Sequence, residues 1–170
     1  MTREGFRVAA VQTLSGGDVD ANLSSIEPLI VEAARQGARL VVLPEYFGIF
    51  GARATDKLAV READGEGPQQ AFLARLAKAH GIWLVGGTVP IATRDPARVR
   101  SACLVYGPDG QRVARYDKIH LFAFSRGDLV GCPRAEDAEI LGQHDQPRAL
   151  PRSLDDQRLD RAQIGIDVAA

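Results

Sequence analysis

The sequence predicts an α/β fold with a mixed β-sheet, and three features support this prediction. Short apolar and β-branched runs alternate with amphipathic helical segments over the first 128 residues. The apolar runs are uninterrupted, as is typical of parallel strands that are buried on both faces. The last two runs, residues 102–106 and 112–116, flank a Gly-Pro-Asp-Gly turn that predicts an antiparallel hairpin. Strands and helices in this order indicate a layered α/β architecture.

The first strand and helix are predicted within residues 6–37. A β-branched and apolar run over 6–13 predicts the strand. The helix should begin after Asp18 or Asp20, either of which is a good N-cap, and end before Gly37. Pro28 lies inside this segment and should kink the helix or shift its start. The apolar face, at helical spacing, contains Leu23, Ile26, Ile30 and Ala33 or Ala34.

The second strand and helix repeat this pattern. Residues 39–43 form a continuous apolar strand, and Pro68 opens the helix where its missing N–H group costs nothing. Gly81 should close this helix, and residues 82–85 form the next buried strand. The predicted inner stripe of the helix contains Phe72, Leu73, Leu76 and Ala79.

Composition excludes several classes of function. The chain has 170 residues, of which 45% are hydrophobic and 25% charged, with a net charge of −1. This balance argues against nucleic-acid binding, and no apolar run is long enough to span a membrane. The N-terminal residues contain no apolar signal region, and Cys103 and Cys132 do not have a metal-binding spacing. We therefore expect a cytoplasmic protein without a metal site and without a nucleic-acid or membrane partner.

Two motifs, each directly after a predicted strand, contain the residues suited to catalysis. The first is Leu-Pro-Glu-Tyr-Phe-Gly with Glu45, and the second is Tyr-Asp-Lys-Ile-His-Leu-Phe with Lys118. Active sites of α/β proteins form where the carboxyl ends of buried strands meet. Taken singly, a glutamate in this position often caps a loop or pairs with an arginine, and a lone lysine is usually solvated.

In combination, the two motifs resemble those of the nitrilase-type carbon–nitrogen hydrolases, and the lysine motif is similar to that of the ω-amidases and deaminated glutathione amidases. The resemblance covers residues 5 to about 126, roughly half a family domain. It implies the N-terminal half of a four-layer α-β-β-α sandwich, a homodimer, and hydrolysis of a small-molecule amide or nitrile without a cofactor. Glu45 would be the general base for a cysteine thiol, and Lys118 would stabilise the oxyanion.

The nucleophilic cysteine implied by the resemblance is missing from its expected Cys-Tyr-Asp-like segment beyond the lysine. Cys103 lies within a predicted strand, where a buried core thiol with a raised pKa is expected. Cys132 follows the lysine, but no strand positions it. His120 is interpreted as a structural residue, and Phe122 and Phe124 either wall the pocket or simply pack.

The missing cysteine predicts a truncated and inactive member of the family. Two alternatives remain open at this point. One is a non-catalytic binding module or pseudoenzyme that retains the amide pocket, and the other is residual hydrolysis through Cys103.

The last 42 residues, 129–170, differ in character from the rest of the chain. They contain no Phe, Tyr, Trp or Lys, and three prolines interrupt any long helix, so the composition predicts a disordered tail.

The genetic code indicates a specific origin for this tail. Codons available to residues 16–57, read as their reverse complement, regenerate the tail at every position, from Leu129 opposite Lys57 to Ala170 opposite Gly16. The correspondence fails at Asp128. We therefore divide the chain into a partial hydrolase domain, 1–128, and an antisense-derived tail, 129–170.

This division makes a prediction about the gene. Genomic DNA sequenced across codons 120–170 should contain a stretch complementary to codons 16–57, unless the inverted copy arose as a chimera during sequence assembly. An uninterrupted reading frame leading into a Cys-Tyr-Asp-like strand would contradict the predicted truncation and would assign the inverted copy to sequence assembly.

Overall fold

The computed structural model describes residues 6–51, 53, 55–119, 124–126, 129–131 and 166–169. These residues form, in chain order, β1 (Val8–Val11), α1 (Val19–Arg35), β2 (Leu40–Leu43), α2 (Asp56–Ala59), α3 (Pro68–His80), β3 (Trp83–Gly86), β4 (Val89–Ala92), β5 (Val99–Tyr106), β6 (Arg112–Asp117), β7 (Phe124–Arg126), β8 (Leu129–Gly131) and β9 (Ile166–Ala169). The predicted alternation of strands and helices, followed by a hairpin, is confirmed.

A mixed sheet of seven strands forms the centre of the fold, in the order β4-β5-β3-β2-β1-β9, with β6 also paired to β5. Strands β9, β1, β2 and β3 are parallel to one another, and β3 pairs with β5 in the antiparallel direction. The β5–β6 hairpin is antiparallel, as the Gly-Pro-Asp-Gly turn predicts. The sequence therefore predicts the sheet type correctly, because each connection has the length that its pairing requires.

Strands β3 and β4 together form one bulged strand along β5. Val85 pairs with Val105, whereas Val89 pairs with Ala102, so the β3–β4 side contains one residue more than β5. Such a β-bulge bends the strand and changes the direction of the side chains that follow it. Sequence analysis missed β4 because it contains Pro90, a residue that is unfavourable in most strands.

The two long helices begin and end largely where the sequence predicts. The Asp18 carboxylate caps α1 by accepting a hydrogen bond of 2.8 Å from the Ala21 N–H group. The helix runs from Val19 through Pro28 to Arg35, so the proline does not shift its start. Gly81 has φ 60° and ends α3, as expected. Among the described residues, no helix is long and apolar enough to cross a membrane.

One correction concerns the inner stripe of α3. Phe72, Leu73 and Leu76 are buried, but Ala77 is buried in place of Ala79, which is exposed. Ala77 lies one helical turn after Leu73, whereas Ala79 lies past the edge of the buried stripe. The predicted stripe of α1 is confirmed by the burial of Leu23, Ile26, Ile30 and Ala33.

The core lies on one face of the sheet, beneath α1 and α3. Side chains on alternate positions of the strands point into it, and they form one cluster with the apolar faces of the helices. The sheet contributes Ala9, Val41, Leu43, Leu84, Val89, Ile91, Ala102, Leu104 and Tyr106 to this cluster. On β5, the intervening residues Ser101 and Cys103 therefore belong to the opposite face of the sheet.

Two of the described strands lie within the predicted tail. β8 pairs with β7 in a separate antiparallel ladder, and β9 pairs in parallel with β1 at the edge of the main sheet. The predicted disorder of the tail stays a prediction. The rest of the tail lies outside the described residues, so the boundary at residue 128 stays a prediction.

Asp64 links the hairpin to the segment that precedes α3. Its carboxylate pairs with the guanidinium groups of Arg112 and Arg115 on β6, the latter at 2.9 Å. The hydrogen bond from Arg112 holds the pKa of Asp64 below its ordinary value of 3.8. A lowered carboxyl pKa stabilises the fold above that ordinary value, and this contribution is lost as the pH falls through the folded-state pKa.

We therefore expect Asp64→Asn to lower the free energy of unfolding by about 0.5–1 kcal/mol near neutral pH, since the pair is half-exposed. The difference from the unsubstituted chain should shrink as the pH falls below about 3.8. Urea denaturation near pH 7 and near pH 3 measures both values. Glu66→Gln, on an exposed carboxylate two residues along the chain, should be neutral at both pH values and serves as the control. A loss in Asp64→Asn that does not depend on pH would contradict the ionic interpretation.

Candidate active site

A cleft beyond the carboxyl end of β2 brings both predicted catalytic residues together. It has a volume of about 440 Å³, within the range of small-molecule sites, and is open to solvent. The lining comes from the end of β2, from the bulge between β3 and β4, and from the hairpin β5–β6. The lining residues are Glu45, Gly87, Thr88, Ser101, Cys103, Tyr116 and Lys118.

Glu45 and Lys118 form an ion pair in this cleft. The distance from Lys118 Nζ to Glu45 Oε1 is 2.7 Å, although the residues are 73 positions apart in the chain. The Lys118 backbone N–H group donates a hydrogen bond of 3.0 Å to the Ser101 carbonyl oxygen, which extends the β5–β6 ladder by one residue. The side chains are 29% and 48% exposed for Lys118 and Glu45 respectively, so solvent reaches both charges. The site therefore holds a carboxylate and an ammonium that a small solute can reach.

The backbone at the end of β2 approaches the bulge very closely. Gly87 has φ 43°, and a Cβ atom at this position would overlap the Pro44 carbonyl oxygen. Only glycine combines this left-handed conformation with the space that the neighbouring strand leaves. The close approach fixes the residue before Glu45 relative to the residue before Thr88.

Tyr46 turns the chain immediately after Glu45. It has φ 54°, and its N–H group donates a hydrogen bond of 2.9 Å to Thr88 Oγ1. Its phenol hydroxyl is hydrogen-bonded to the Ser101 hydroxyl, and Lys57 Nζ lies 3.5 Å from the centre of its ring. The glutamate therefore precedes a residue that is held by three separate parts of the chain.

Two side chains from an earlier part of the chain hold the rest of the turn by hydrogen bonds to its backbone. Ser15 Oγ donates a hydrogen bond of 2.7 Å to the Phe47 carbonyl oxygen, and Asn22 Nδ2 donates one of 3.0 Å to that of Gly48. The side chains of Phe47 and Ile49 are fully buried in the core. These anchors leave the turn little freedom to move away from the cleft.

Cys103 does not lie in the core, contrary to the expectation from its apolar neighbours. Ala102 and Leu104 point into the core, so Cys103 between them points to the opposite face and lines the cleft. It is half-buried, and this burial raises the pKa of its thiol. The predicted direction of the pKa shift is confirmed, and the predicted position is wrong because strand periodicity outweighs the character of the flanking residues.

Several predicted residues cannot be placed. His120, Phe122 and Cys132 lie outside the described residues, and Phe124 is described only as part of the β7 backbone. Their predicted roles stay predictions. Within the described part of the chain, no three His, Cys, Asp or Glu side chains are grouped so that they could hold a metal ion.

Sequence analysis missed Thr88 and Ser101 as parts of the site. Both are ordinary polar residues in apolar surroundings, and they reach Tyr46 only through the pairing of β5 with the bulged strand. The one available signal was the Gly-Gly pair at 86–87, since a glycine within a strand pattern indicates a bulge or a close backbone approach.

Comparison with known proteins places this arrangement in a family. The carbon-nitrogen hydrolase family model matches residues 7–151. The chain belongs to the carbon-nitrogen hydrolase family. The match extends past Asp128, whereas the sequence analysis expects the family likeness to end near residue 126. The antisense origin of the tail therefore stays a prediction that the gene sequence tests.

Curated carbon-nitrogen hydrolases include relatives of known type. Omega-amidase NIT2 of Xenopus tropicalis is 36% identical over 141 residues, which are 82% of this chain and 48% of that protein. The deaminated glutathione amidase of Yersinia enterocolitica is 33% identical over 138 residues, 81% of this chain and 48% of that protein. The chain thus spans about half the length of the curated relatives it matches.

Solved carbon-nitrogen hydrolase structures show the same fold. The NitFhit protein of C. elegans is 26% identical with a TM-score of 0.64, over 78% of this chain and 33% of that one. Nit3 of Saccharomyces cerevisiae is 26% identical with a TM-score of 0.61, over 68% and 44%. A double mutant of the amidase from Nesterenkonia sp. AN1 in complex with acrylamide is 25% identical with a TM-score of 0.57, over 72% and 46%. The predicted nitrilase-like α/β fold is confirmed.

The close approach at Gly87 makes a prediction about stability. Gly87→Ala should lower the free energy of unfolding by about 2 kcal/mol or more, because the new methyl group meets backbone that cannot yield. Gly65→Ala is the matched control, since Gly65 also has a left-handed φ, 88°, but nothing within 4 Å of its Cβ position. It should cost only about 1 kcal/mol, the conformational penalty alone. Equal losses in urea denaturation would show that the close approach is unimportant.

Proposed function

We propose that this chain retains the glutamate–lysine part of the kind of active site that hydrolyses small-molecule amides to carboxylic acids and ammonia. The observation that carries the proposal is the 2.7 Å ion pair of Glu45 and Lys118 in an open cleft at a strand end. Membership of the carbon-nitrogen hydrolase family supports the reaction class. The names of its relatives, an omega-amidase and a deaminated glutathione amidase, favour an amide over a nitrile.

The two charged groups have complementary roles in this reaction. The Glu45 carboxylate accepts the proton of a thiol, and the resulting thiolate attacks the amide carbonyl carbon. The Lys118 ammonium donates a hydrogen bond to the oxyanion that forms on the carbonyl oxygen. Cleavage of the C–N bond releases ammonia, which carries away the proton that the carboxylate held. Water then hydrolyses the thioester to the free acid and restores the thiol.

We propose that these 170 residues do not by themselves supply the reactive thiol. Cys103 lines the cleft, but burial raises its pKa, which favours the neutral thiol over the nucleophilic thiolate. Cys132 lies outside the described residues. We therefore propose a cytoplasmic pseudoenzyme that binds amides without turnover. Hydrolysis through Cys103 is the second candidate, and its position in the cleft is the observation that favours it.

Binding and turnover of propionamide and succinamate test this proposal. We expect ligand-observed NMR to detect binding to the full chain, and Glu45→Gln or Lys118→Met to weaken it by about tenfold, the effect of losing a hydrogen bond to a charged group. Lys78→Met removes the same charge from the exposed face of α3, outside the cleft, and should bind normally. If neither Glu45→Gln nor Lys118→Met weakened binding, the proposed site would be wrong.

Ammonia release from the same amides measures turnover. We expect none above the rate in buffer. Turnover that disappears in both Glu45→Gln and Cys103→Ala would establish Cys103 as the nucleophile and overturn the proposed inactivity. Turnover that persists in Cys103→Ala would overturn it as well and would assign the thiol elsewhere.

A further inference from the structure

We propose that Tyr46 is a positioning residue, which holds Glu45 against Lys118 through Ser101 and Thr88. The inference rests on the proposed function of the Glu45–Lys118 pair and extends it to residues with no catalytic chemistry of their own. It begins from a backbone outlier. Among the described residues, Tyr46 is the one non-glycine residue with positive φ, at 54°.

A left-handed conformation is costly for a bulky aromatic residue, so the surrounding structure must enforce it. Three contacts from different elements do so. Thr88 in the bulge accepts a hydrogen bond from the Tyr46 N–H group at 2.9 Å, and the Ser101 hydroxyl on β5 bonds the phenol. The Lys57 ammonium on α2 lies 3.5 Å from the centre of the ring, in a cation–π contact.

The Ser101 contact connects both partners of the ion pair. The Ser101 hydroxyl is hydrogen-bonded to the phenol of Tyr46, the residue that follows Glu45 in the chain. The Ser101 carbonyl oxygen accepts a hydrogen bond of 3.0 Å from the backbone N–H group of Lys118. Glu45, Tyr46, Ser101 and Lys118 therefore form a closed ring of contacts, which the 2.7 Å ion pair completes. The other three links limit the distance between the two residues whether or not their charges attract each other.

The turn at Tyr46 also points the side chains of the residues before and after it in different directions. Phe47 is fully buried in the core, whereas Glu45 faces the cleft. If Tyr46 relaxed to an ordinary right-handed or extended conformation, the chain could not meet both requirements at once. Thr88 opposes this relaxation at the backbone, and Ser101 opposes it at the far end of the side chain.

The lysine content of the chain provides a direct experiment. The sequence contains three lysines, namely Lys57, Lys78 and Lys118. Reductive methylation of the full chain, followed by mass spectrometry of the three peptides, measures the reactivity of each amine. A carboxylate that accepts a hydrogen bond from the Lys118 amine and covers the nitrogen slows the reaction there. Lys78, exposed on α3, serves as the internal reference.

Tyr46→Phe is the central variant because it removes a single oxygen atom. It keeps the aromatic ring, so the reactivity of Lys57 should not change. The variant also removes the hydrogen bond to Ser101. We therefore expect Lys118 to react about two- to fivefold faster, which is the range expected for loss of a partly exposed ion pair. Ser101→Ala should have the same effect on Lys118. Thr88→Val should also accelerate Lys118, and Thr88→Ser, which restores the hydroxyl acceptor, should return it to its original rate.

Glu45→Gln sets the upper limit of the effect and separates the two proposals. If Glu45→Gln accelerates Lys118 but Tyr46→Phe and Thr88→Val do not, the positioning role is wrong and the ion pair stands. If Glu45→Gln has no effect either, the ion pair itself is wrong, and the proposed function fails with it. A uniform acceleration at all three lysines would show general loosening of the fold and would overturn the specific role of Tyr46.

Discussion

The close approach of two backbone segments, Pro44 at the end of β2 and Gly87 in the bulge, is the constraint on which the site depends. Parallel pairing of Leu43 with Gly86 brings these segments together. The bulge then adds one residue, and this residue places Thr88 beneath the Tyr46 N–H group. An ordinary strand in place of the bulge would give the end of β2 no hydroxyl acceptor, and the turn after Glu45 would lose its first anchor.

This constraint explains how a solvent-exposed ion pair can have a defined geometry. Pairs as exposed as Glu45 and Lys118 contribute little to stability, because water and salt screen their attraction. The attraction is therefore too weak to organise the cleft. The backbone fixes both residues first, by the anchored turn on one side and by the β5–β6 ladder on the other. The cleft positions the pair, and the pair leaves its charges available to a ligand.

Local sequence signals predicted those parts of the structure that depend on local physics. The cap at Asp18, the glycine after α3 and the hairpin turn each act within a few residues of the chain, so their patterns can be read directly. The Glu45 and Lys118 motifs were recognisable because each follows a predicted strand. Thr88 and Ser101 were not, since their importance arises from pairing between distant strands. Cys103 was misplaced because its apolar neighbours masked the alternation of a strand that is covered by helices on one face.

The ring of contacts around Ser101 has a consequence for the order of folding. Its β5–β6 side is local, because a short turn joins the two strands, and hairpins of this kind form within microseconds in isolation. The other side closes a loop of 73 residues between Glu45 and Lys118. Closing this loop costs conformational entropy before the contacts that it brings together can compensate for that cost. The cleft therefore forms late, after β2 and β3 have aligned in the correct register. A chain that misaligns these two strands by a single residue turns the side chains of β2 to the wrong face of the sheet and cannot bring the two charges together.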